Sequence, residues 1–184
     1  MEFFDVIVAR KSVRGYKDAP VEEEKITKCL EAARAAPSWR NLQCWFFIVV
    51  RDKEKIKAMG DPIINPWLPQ APCVIAACAD PKKSGEREGK SYYLVDTAIA
   101  MEHLVLAAAA QGLGTCWIGK LEEPKIRKML DIPENIRIVA LTPLGYPDDE
   151  SDLRIKIAKM ITKGARRKPM EEMAFWEKFG KTMP

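Results

Sequence analysis

The spacing of apolar residues predicts several helices along the chain. Ile26, Cys29, Leu30 and Ala33 recur every three or four residues, which predicts an amphipathic helix over residues 21–35. Shorter helices are predicted over residues 5–10, 53–59 and 124–130.

Residues 91–111 form the longest apolar segment of the chain. Helix-forming residues fill this segment, with Leu94, Ala98 and Met101 on one stripe and apolar side chains on the other faces as well. The pattern predicts a helix that is buried nearly all round and that Gly112 ends. Such a helix lies at the centre of a domain or at a subunit interface.

Three short apolar segments are rich in residues that favour strands. Residues 45–50 (WFFIVV) and 73–78 (CVIAAC) are apolar throughout, which predicts strands buried on both faces. A third strand is predicted over residues 136–141, after which residues 143–147 (PLGYP) are expected to break the chain. The mixture predicts an α+β fold in one domain, residues 1–184, with a C-terminal extension over residues 148–184.

Composition narrows the class of protein. The 184 residues carry 30 basic and 26 acidic side chains, and the net charge of +4 comes with no long basic run. This balance fits an anionic small molecule at least as well as a nucleic acid. No uninterrupted apolar run reaches the roughly 20 residues of a membrane span, and the first residues lack the features of a signal peptide, so a cytoplasmic location is expected.

Cysteine and histidine usage argues against metal and triad chemistry. Five cysteines occur without a Cys-x-x-Cys pair, which speaks against a disulfide framework or a zinc site. The chain has one histidine, His103, within a helical pattern, and we expect it to pack or to make a structural hydrogen bond.

Two polar segments carry the chemistry that the composition leaves open. Residues 10–14 (RKSVR) place three cations and a hydroxyl together, the donor set that a phosphate ester needs. Residues 36–45 (APSWRNLQCW) expose hydrogen-bonding groups on a loop between apolar segments. Together the two segments indicate a site for a large, polar, phosphorylated cofactor.

Two further segments accompany them. Residues 112–115 (GLGT) follow a helix and lack the lysine of a Walker motif, so their glycines predict close backbone approach. Residues 166–168 (RRK) offer a second group of cations.

Taken together, these segments resemble the FMN-dependent nitroreductase family, in which the same landmarks follow one another in the same order. The landmarks that carry the resemblance are residues 10–14; Pro37, Ser38, Asn41, Gln43 and Trp45; residues 112–119; residues 143–147; and the basic cluster before Pro169. The resemblance implies an α+β fold, with a central mixed or antiparallel sheet flanked by helices, in an obligate homodimer. It also implies that residues 148–184 pack on the partner subunit.

The resemblance implies roles for the basic residues. Arg10, Lys11 and Ser12 are expected to hold the ribityl-phosphate end of FMN. Arg14 is expected to reach the pyrimidine end of the ring, where a fixed cation would stabilise the negative charge left near N1 on reduction. Arg167 matches the position of a second phosphate ligand, and Arg166 is a further candidate.

The loop that contains Pro37, Ser38, Trp39 and Asn41 is implied to come from the second subunit and to close over FMN. Trp39 stands where a small residue is common, and it either narrows the pocket beside the flavin or anchors the interface. Cys44 replaces the usual proline, and we expect a packing residue and not a nucleophile.

The segment Cys116, Trp117, Ile118 and Gly119 is implied to lie along the isoalloxazine ring, where one backbone amide bonds N5. No catalytic side chain and no metal is predicted, because the chemistry takes place on FMN. The long stretch of residues 148–165 is open to interpretation as a lid, an interface helix or a linker.

The predicted function is a ping-pong oxidoreductase. NADH or NADPH reduces FMN, and an electron-poor small-molecule acceptor such as a nitroaromatic or a quinone then enters the same face. One alternative keeps the flavin and changes the reaction to reductive dehalogenation, flavin fragmentation or flavin binding only. A remote alternative is a basic nucleic-acid-binding module built on Arg14, Arg166 and Arg167.

Overall fold

The computed structural model describes residues 2–148 and 167–181 of the chain. Contacts divide the chain into two compact units, Met1–Ser151 and Asp152–Pro184. The first unit holds the sheet and the α-helices given below, and the second is described separately.

Apolar periodicity and capping residues account for the helices of the first unit. They are α1 (Phe3–Ala9), α2 (Glu23–Arg34), α3 (Lys53–Met59), α4 (Tyr92–Ala110) and α5 (Glu123–Met129). The face of α2 that carries Ile26, Cys29 and Ala33 is buried, as the spacing predicted. The side chain of Asp52 accepts a hydrogen bond from the amide of Lys55, which caps the start of α3.

Antiparallel strands form the sheet at the centre of this unit. The strands are β1 (Trp45–Val50), β2 (Cys73–Ala79), β5 (Gly114–Thr115) and β6 (Arg137–Gly145), in the order β1-β2-β6-β5. The short strands β3 (Glu86–Arg87) and β4 (Lys90–Ser91) make a separate hairpin. This arrangement confirms the α+β prediction with an antiparallel sheet.

The strand β2 separates two hydrophobic clusters. Every residue of β2 is buried, which confirms the prediction for this segment. Successive side chains of a strand point to opposite faces, so Ile75 and Ala77 join the cluster that includes α2 and α4. Val74 and Ala76 join the cluster on the other face, which includes residues of α3 and α5.

The prediction that residues 45–50 are buried on both faces is wrong for a single chain. The strand β1 lies at the edge of the sheet, and only Trp45 and Val50 are buried. Phe46 is 43% exposed. The difference follows from the position of each strand in the sheet. Other elements cover both faces of β2, which lies inside the sheet, but they cover β1 at the edge only in part.

The prediction that residues 91–111 are buried nearly all round is also wrong for a single chain. The helix α4 packs on α2 and on the sheet through residues such as Met101 and Leu104. Leu94 and Val95 are 46% and 47% exposed. Among the described residues, α4 is the one helix that is long and apolar enough to span a membrane. The core helices of soluble proteins meet the same criteria, and residues of α4 such as Met101 and Leu104 belong to the core.

The expected break at residues 143–147 begins later than predicted. The strand β6 continues through Pro143, which pairs with Val74, and ends at Gly145. The strand β5 pairs only with Leu144 and Gly145, so the missing N–H of Pro143 falls outside that ladder.

The cysteines are buried, and the prediction for the histidine is confirmed. All five cysteines are buried, free thiols. Nδ1 of His103 lies 3.2 Å from the carbonyl oxygen of Ala32, which is the structural hydrogen bond expected for this side chain.

In the second unit the structure describes residues 167–181. They include one turn of 3₁₀ helix, Met170–Glu172, and a contact between the rings of Phe175 and Phe179 at 4.6 Å. Met170, Met173 and Trp176 are exposed. Most of the stretch over residues 148–165 lies outside the described residues.

Candidate functional site

Residues 10–14 run alongside β5. Ser12 bridges to Thr115 in parallel fashion, and the amide of Val13 donates to the carbonyl of Thr115 at 2.8 Å. A Cβ added at Gly114 would lie 2.7 Å from Cγ2 of Val13. The glycine is therefore needed for this contact, which confirms close backbone approach at residues 112–115.

A buried tyrosine supports the same segment. The hydroxyl of Tyr16 donates to the carbonyl of Val13 at 2.7 Å, and burial raises the pKa of Tyr16 well above 10.0. Sequence reasoning missed this residue, although an aromatic residue beside a basic loop was a signal that it packs under the loop.

Arg10 and Lys11 line a cleft of about 220 Å³. Gly112, Leu113 and Thr115 line it from the other side. The cleft is therefore basic along the N-terminal segment and lined by backbone and small side chains opposite.

The way α4 ends lessens the repulsion that a helix C-terminus exerts on an anion. A helix C-terminus normally presents free carbonyls, which repel negative charge. Here the amides of Gly112 and Leu113 donate to the carbonyls of Ala109 and Ala108 at 3.0 and 2.9 Å. This Schellman arrangement needs the left-handed φ of +74° at Gly112, and it occupies two of the terminal carbonyls.

The side chains of Ser12 and Arg14 lie near the thiol of Cys116. Burial raises the pKa of the Cys116 thiol, while the Arg14 guanidinium and a hydrogen bond from Ser12 oppose that shift. Cys116 is buried and stays a neutral thiol, so it is a poor nucleophile.

Among the described residues, some backbone amides of residues 116–119 are hydrogen-bonded within the protein and others are not. The amide of Ile118 donates to the carbonyl of Leu141 at 2.9 Å, and its side chain is in the core. Within the described part of the chain, the amides of Trp117 and Gly119 have no recorded acceptor. These two amides, and not that of Ile118, are the ones open to a ligand.

The loop of residues 37–43 is strained. Arg40, Asn41 and Gln43 have φ of 48°, 57° and 48°, in the left-handed region that non-glycine residues rarely adopt. The backbone amide of Gln43 donates to Oγ of Ser38 at 3.0 Å. The side-chain amide of Gln43 donates to Oδ1 of Asn41, also at 3.0 Å. Such strain is common at functional sites.

Trp39 packs within its own chain. Its ring centroid lies 4.3 Å from that of Tyr92, at the start of α4. A Cβ at Gly85 would lie 2.4 Å from the indole, so only glycine fits there. The indole is half-buried, which leaves part of it for a further contact.

Asp96 is the main residue that sequence reasoning missed. It is 3% exposed, and its Oδ1 accepts from the amide of Trp39 at 2.8 Å. The available signal was an acid in the first half of an otherwise apolar helix, a position where a carboxylate needs partners.

The structure brings some predicted residues together and separates others. Residues 10–14 and 112–116 meet at the C-terminal end of α4. The loop with Trp39 contacts Asp96, thirteen residues before Ala109, which lines the cleft. At 1.5 Å per residue, these points of one chain lie about 20 Å apart along the helix. Arg167 belongs to the second unit and Arg166 lies outside the described residues.

Comparisons with known proteins show which family the chain resembles. The model of the nitroreductase family matches residues 7–67 and 59–146. A protein of Archaeoglobus fulgidus that carries the name NADH dehydrogenase/NAD(P)H nitroreductase is 41% identical over 156 residues, 82% of this chain and 88% of that protein.

Solved structures extend the likeness to the fold. The crystal structure of a nitroreductase family protein from Clostridium novyi NT is 38% identical with a TM-score of 0.77, over 99% of this chain and 97% of that chain. An FMN-dependent nitroreductase from Clostridium difficile R20291 is 33% identical with a TM-score of 0.70, over 83% and 95%.

More distant relatives carry other names. The iodotyrosine deiodinase of Thermotoga neapolitana is 26% identical over 79% of this chain and 89% of that protein. The 5,6-dimethylbenzimidazole synthase of Rhodospirillum rubrum is 27% identical over 77% and 80%. The family match from residue 7 to residue 146, and 41% identity over most of the chain, show that this protein belongs to the nitroreductase family.

Proposed function

We propose that this protein is an oxidoreductase that binds FMN and uses NADH or NADPH to reduce an electron-poor acceptor such as a nitroaromatic or a quinone. The observation that carries the proposal is the basic cleft at the C-terminal end of α4, with Arg10 and Lys11 on one side and Gly112 on the other. The relative named an FMN-dependent nitroreductase supports the choice of cofactor.

The residues of the cleft fit the phosphate end of FMN. Arg10 can donate two parallel hydrogen bonds to a phosphate, and Lys11 adds a second cation. Gly112 has no heavy atom within 4 Å of its Cβ position, so the cleft is open at that point. The volume of about 220 Å³ is below the roughly 300–1,000 Å³ of ligand pockets. The small volume of this cleft supports a site to which a second copy of the chain contributes.

The remaining groups fit the ring. When bound, FMN supplies the atom that accepts and gives hydride. Arg14 provides a fixed cation near the buried Cys116, and the open amides of Trp117 and Gly119 are donors for a ring nitrogen. These groups orient and stabilise the ring without a titrating side chain of the chain itself.

We infer that the site is shared between two copies of the chain. The loop of residues 37–41 lies at the opposite end of α4 from the cleft of its own chain, about 20 Å away along the helix. A second copy related by two-fold symmetry would bring its loop to this cleft. We also propose that residues 148–184 pack on the partner and that Arg167 adds a second phosphate contact.

Exposed apolar side chains on two elements support an interface. Phe4 and Val8 of α1 are 77% and 84% exposed, and α1 packs against α4. In the first turn of α4, the adjacent residues Leu94 and Val95 are 46% and 47% exposed. Neighbouring apolar side chains that remain exposed on a single chain mark an interaction surface.

The test is a direct assay of the purified protein. We expect a yellow protein that releases FMN on denaturation and oxidises NADH or NADPH in proportion to loss of a nitroaromatic or quinone. A colourless protein that FMN does not bind on titration would overturn the proposal. A colourless protein whose affinity for DNA falls steeply with salt would favour the nucleic-acid-binding alternative.

A second candidate keeps the cofactor and changes the reaction. The deiodinase and synthase relatives favour reductive dehalogenation or flavin fragmentation as alternatives. Loss of flavin without an acceptor would identify fragmentation, and halide release would identify dehalogenation. Bound FMN with no turnover of either kind would leave flavin binding only.

A further inference from the structure

One buried carboxylate joins three separate segments of the chain. Oδ1 of Asp96 accepts from the amide of Trp39 at 2.8 Å. Oδ2 accepts from the hydroxyl of Ser84 at 2.9 Å and lies 3.7 Å from Sγ of Cys44. The helix α4, the loop with Trp39 and the turn before the β3–β4 hairpin therefore meet at this side chain.

The environment fixes the position of the carboxylate. Asp96 is 3% exposed, and a buried charge is tolerated only when it is hydrogen-bonded. Burial, with the Asp96 charge beside it, raises the pKa of the Cys44 thiol to about 11, so the thiol keeps its proton and can donate. All three neighbours are donors, which orients both oxygens.

The loop attached to Asp96 needs such an anchor. Three of its residues, Arg40, Asn41 and Gln43, are in left-handed conformations that persist only where surrounding contacts hold them. The hydrogen bonds from Gln43 to Ser38 and Asn41 lie within the loop, so they cannot attach it to the rest of the fold. The attachment runs through Trp39, by its amide to Asp96 and its ring to Tyr92.

We propose that Asp96 is a positioning residue for cofactor binding. It holds the loop of residues 38–43 in the shape that meets FMN, acting through the amide of Trp39 without touching the cofactor. The inference rests on the proposed function, because it assigns this loop to FMN, but the anchoring of the loop stands on the geometry alone.

Two variants separate position from charge. Asp96→Leu keeps the branch at Cγ, takes more room than the carboxylate and removes both acceptors. Asp96→Asn keeps an acceptor for the Trp39 amide, and its amide group can donate to Ser84, whose hydroxyl can turn to accept. Glu102→Gln is the matched control, an exposed acid on the same helix.

Two measurements test the proposal: hydrogen exchange of the peptide over residues 36–44 in the FMN-free protein, and FMN titration. In Asp96→Leu we expect faster exchange in that peptide alone and an FMN affinity about tenfold lower, the effect of one hydrogen bond to a charged group. Asp96→Asn should stay within about threefold of the wild type and Glu102→Gln should be unchanged.

Each outcome decides the matter. Unchanged hydrogen exchange and unchanged FMN affinity in Asp96→Leu would overturn the proposal. A loss of FMN affinity in Asp96→Asn as large as in Asp96→Leu would also overturn it, because it would show that the charge of Asp96 and not its hydrogen bonds matters. If Asp96→Leu does not fold, Ser84→Ala removes one donor and should accelerate exchange of the same peptide, and no change there would count against the anchor. Wild-type protein that binds no FMN would refute the proposed function, while the exchange data would still decide the role of Asp96.

Discussion

At the scale of single residues, the site separates groups that bind from groups that support. Arg10 lines the cleft, whereas Tyr16 lies under the basic segment and holds the carbonyl of Val13. Gly114 allows the two segments to touch. Substitutions of these three residues should therefore differ in kind: loss of affinity for the first, and loss of local structure for the others.

Replacing Arg10 with alanine should weaken FMN binding more than it weakens the fold. Loss of a charge-assisted phosphate bond costs about 1.5–3 kcal/mol of binding, roughly a tenfold to hundredfold rise in Kd. The residue lies at the surface, where substitutions shift the free energy of unfolding by about 0.5 kcal/mol or less. Isothermal titration with FMN and thermal unfolding measure the two effects.

The control for this prediction is Arg34→Ala, an exposed arginine at the end of α2. It removes one cation from the same net charge but none from the cleft, so FMN affinity should not change. An Arg10→Ala protein with full FMN affinity would remove Arg10 from the site.

Trp39→Ser should change acceptor selectivity if the exposed part of the indole borders the pocket. The variant removes the ring that now packs between Gly85 and Tyr92 and opens space beside the loop. Bulky acceptors should then gain in kcat/KM relative to small ones, while reduction by NADH or NADPH stays nearly unchanged. Steady-state kinetics with one small and one bulky acceptor measure the ratio.

Trp39→Phe serves as the control, because it keeps an aromatic ring against Tyr92. An unchanged acceptor ratio in Trp39→Ser would place the residue outside the pocket. A looser dimer with weaker FMN binding for all substrates alike would identify Trp39 as an interface anchor.

At the scale of elements, α4 organises the site. Its first turns carry Asp96 and Tyr92, which hold the loop of residues 37–43. Its last turn ends in the Gly112 cap beside the basic cleft. One helix thus sets the distance between the two segments proposed to bind FMN, and an insertion in α4 would change that distance.

The element pair α5–β6 depends on one carboxylate. Glu123 of α5 accepts two bonds from Arg137 at 2.9 Å and one from Arg127 at 2.7 Å, with its side chain 20% exposed. The amide of Ile138 adds another at 3.2 Å. The hydrogen bonds from Arg137 are the largest cause that lowers the pKa of Glu123 below 4.5.

The pH dependence of Glu123→Gln follows from that shift. The folded carboxyl has a pKa below its unfolded value, so its contribution is complete above about pH 4.5 and is lost as the pH falls through the folded pKa. We expect the variant to be about 1 kcal/mol less stable near pH 7, with the difference shrinking below pH 4.5. Urea unfolding at several pH values measures it.

The matched control is Glu134→Gln, an exposed acid near the start of β6, which should follow the wild type at each pH. A stability difference for Glu123→Gln that stays constant down to pH 3 would show that the charge of Glu123 is not the source of the stabilisation.

At the scale of the whole molecule, the proposed site is complete only between two copies. Disrupting the apolar surface should therefore remove FMN together with the dimer. Leu94→Asp places a charge on α4 where the side chain is 46% exposed. Light scattering combined with the flavin absorbance of each species should show a monomer with little FMN.

Ile63→Asp is the control for this prediction, because Ile63 is 88% exposed on the loop between α3 and β2. It should leave both the dimer and the FMN content as in the wild type. A stable wild-type monomer with a full complement of FMN would refute the shared site and the apolar interface together.

Much of the local structure was predictable because it depends on near neighbours in the chain. Spacing of apolar residues gave α2 and β2, and the glycine at residue 112 gave the end of α4, since only a left-handed residue completes that cap. The donor set of residues 10–14 predicted a phosphate site by its chemistry alone. A cytoplasmic location and the role of Arg166 stay predictions.

What only the tertiary structure decided is which faces are covered and which groups are already in use. An apolar segment has the same sequence pattern whether its own chain or a partner covers it. The exposure of Phe46 and Leu94 was therefore not predictable from the sequence. The amide of Ile118 is committed to Leu141, and the carboxylate of Asp96 to Trp39, across long separations in sequence. The sequence by itself determined the α-helices, the buried strand β2 and the donor set for a phosphate, because these depend on residue type and local spacing. The tertiary structure decided that residues 10–14 and the loop of residues 37–43 lie at opposite ends of α4, because the distance between segments is a property of packing.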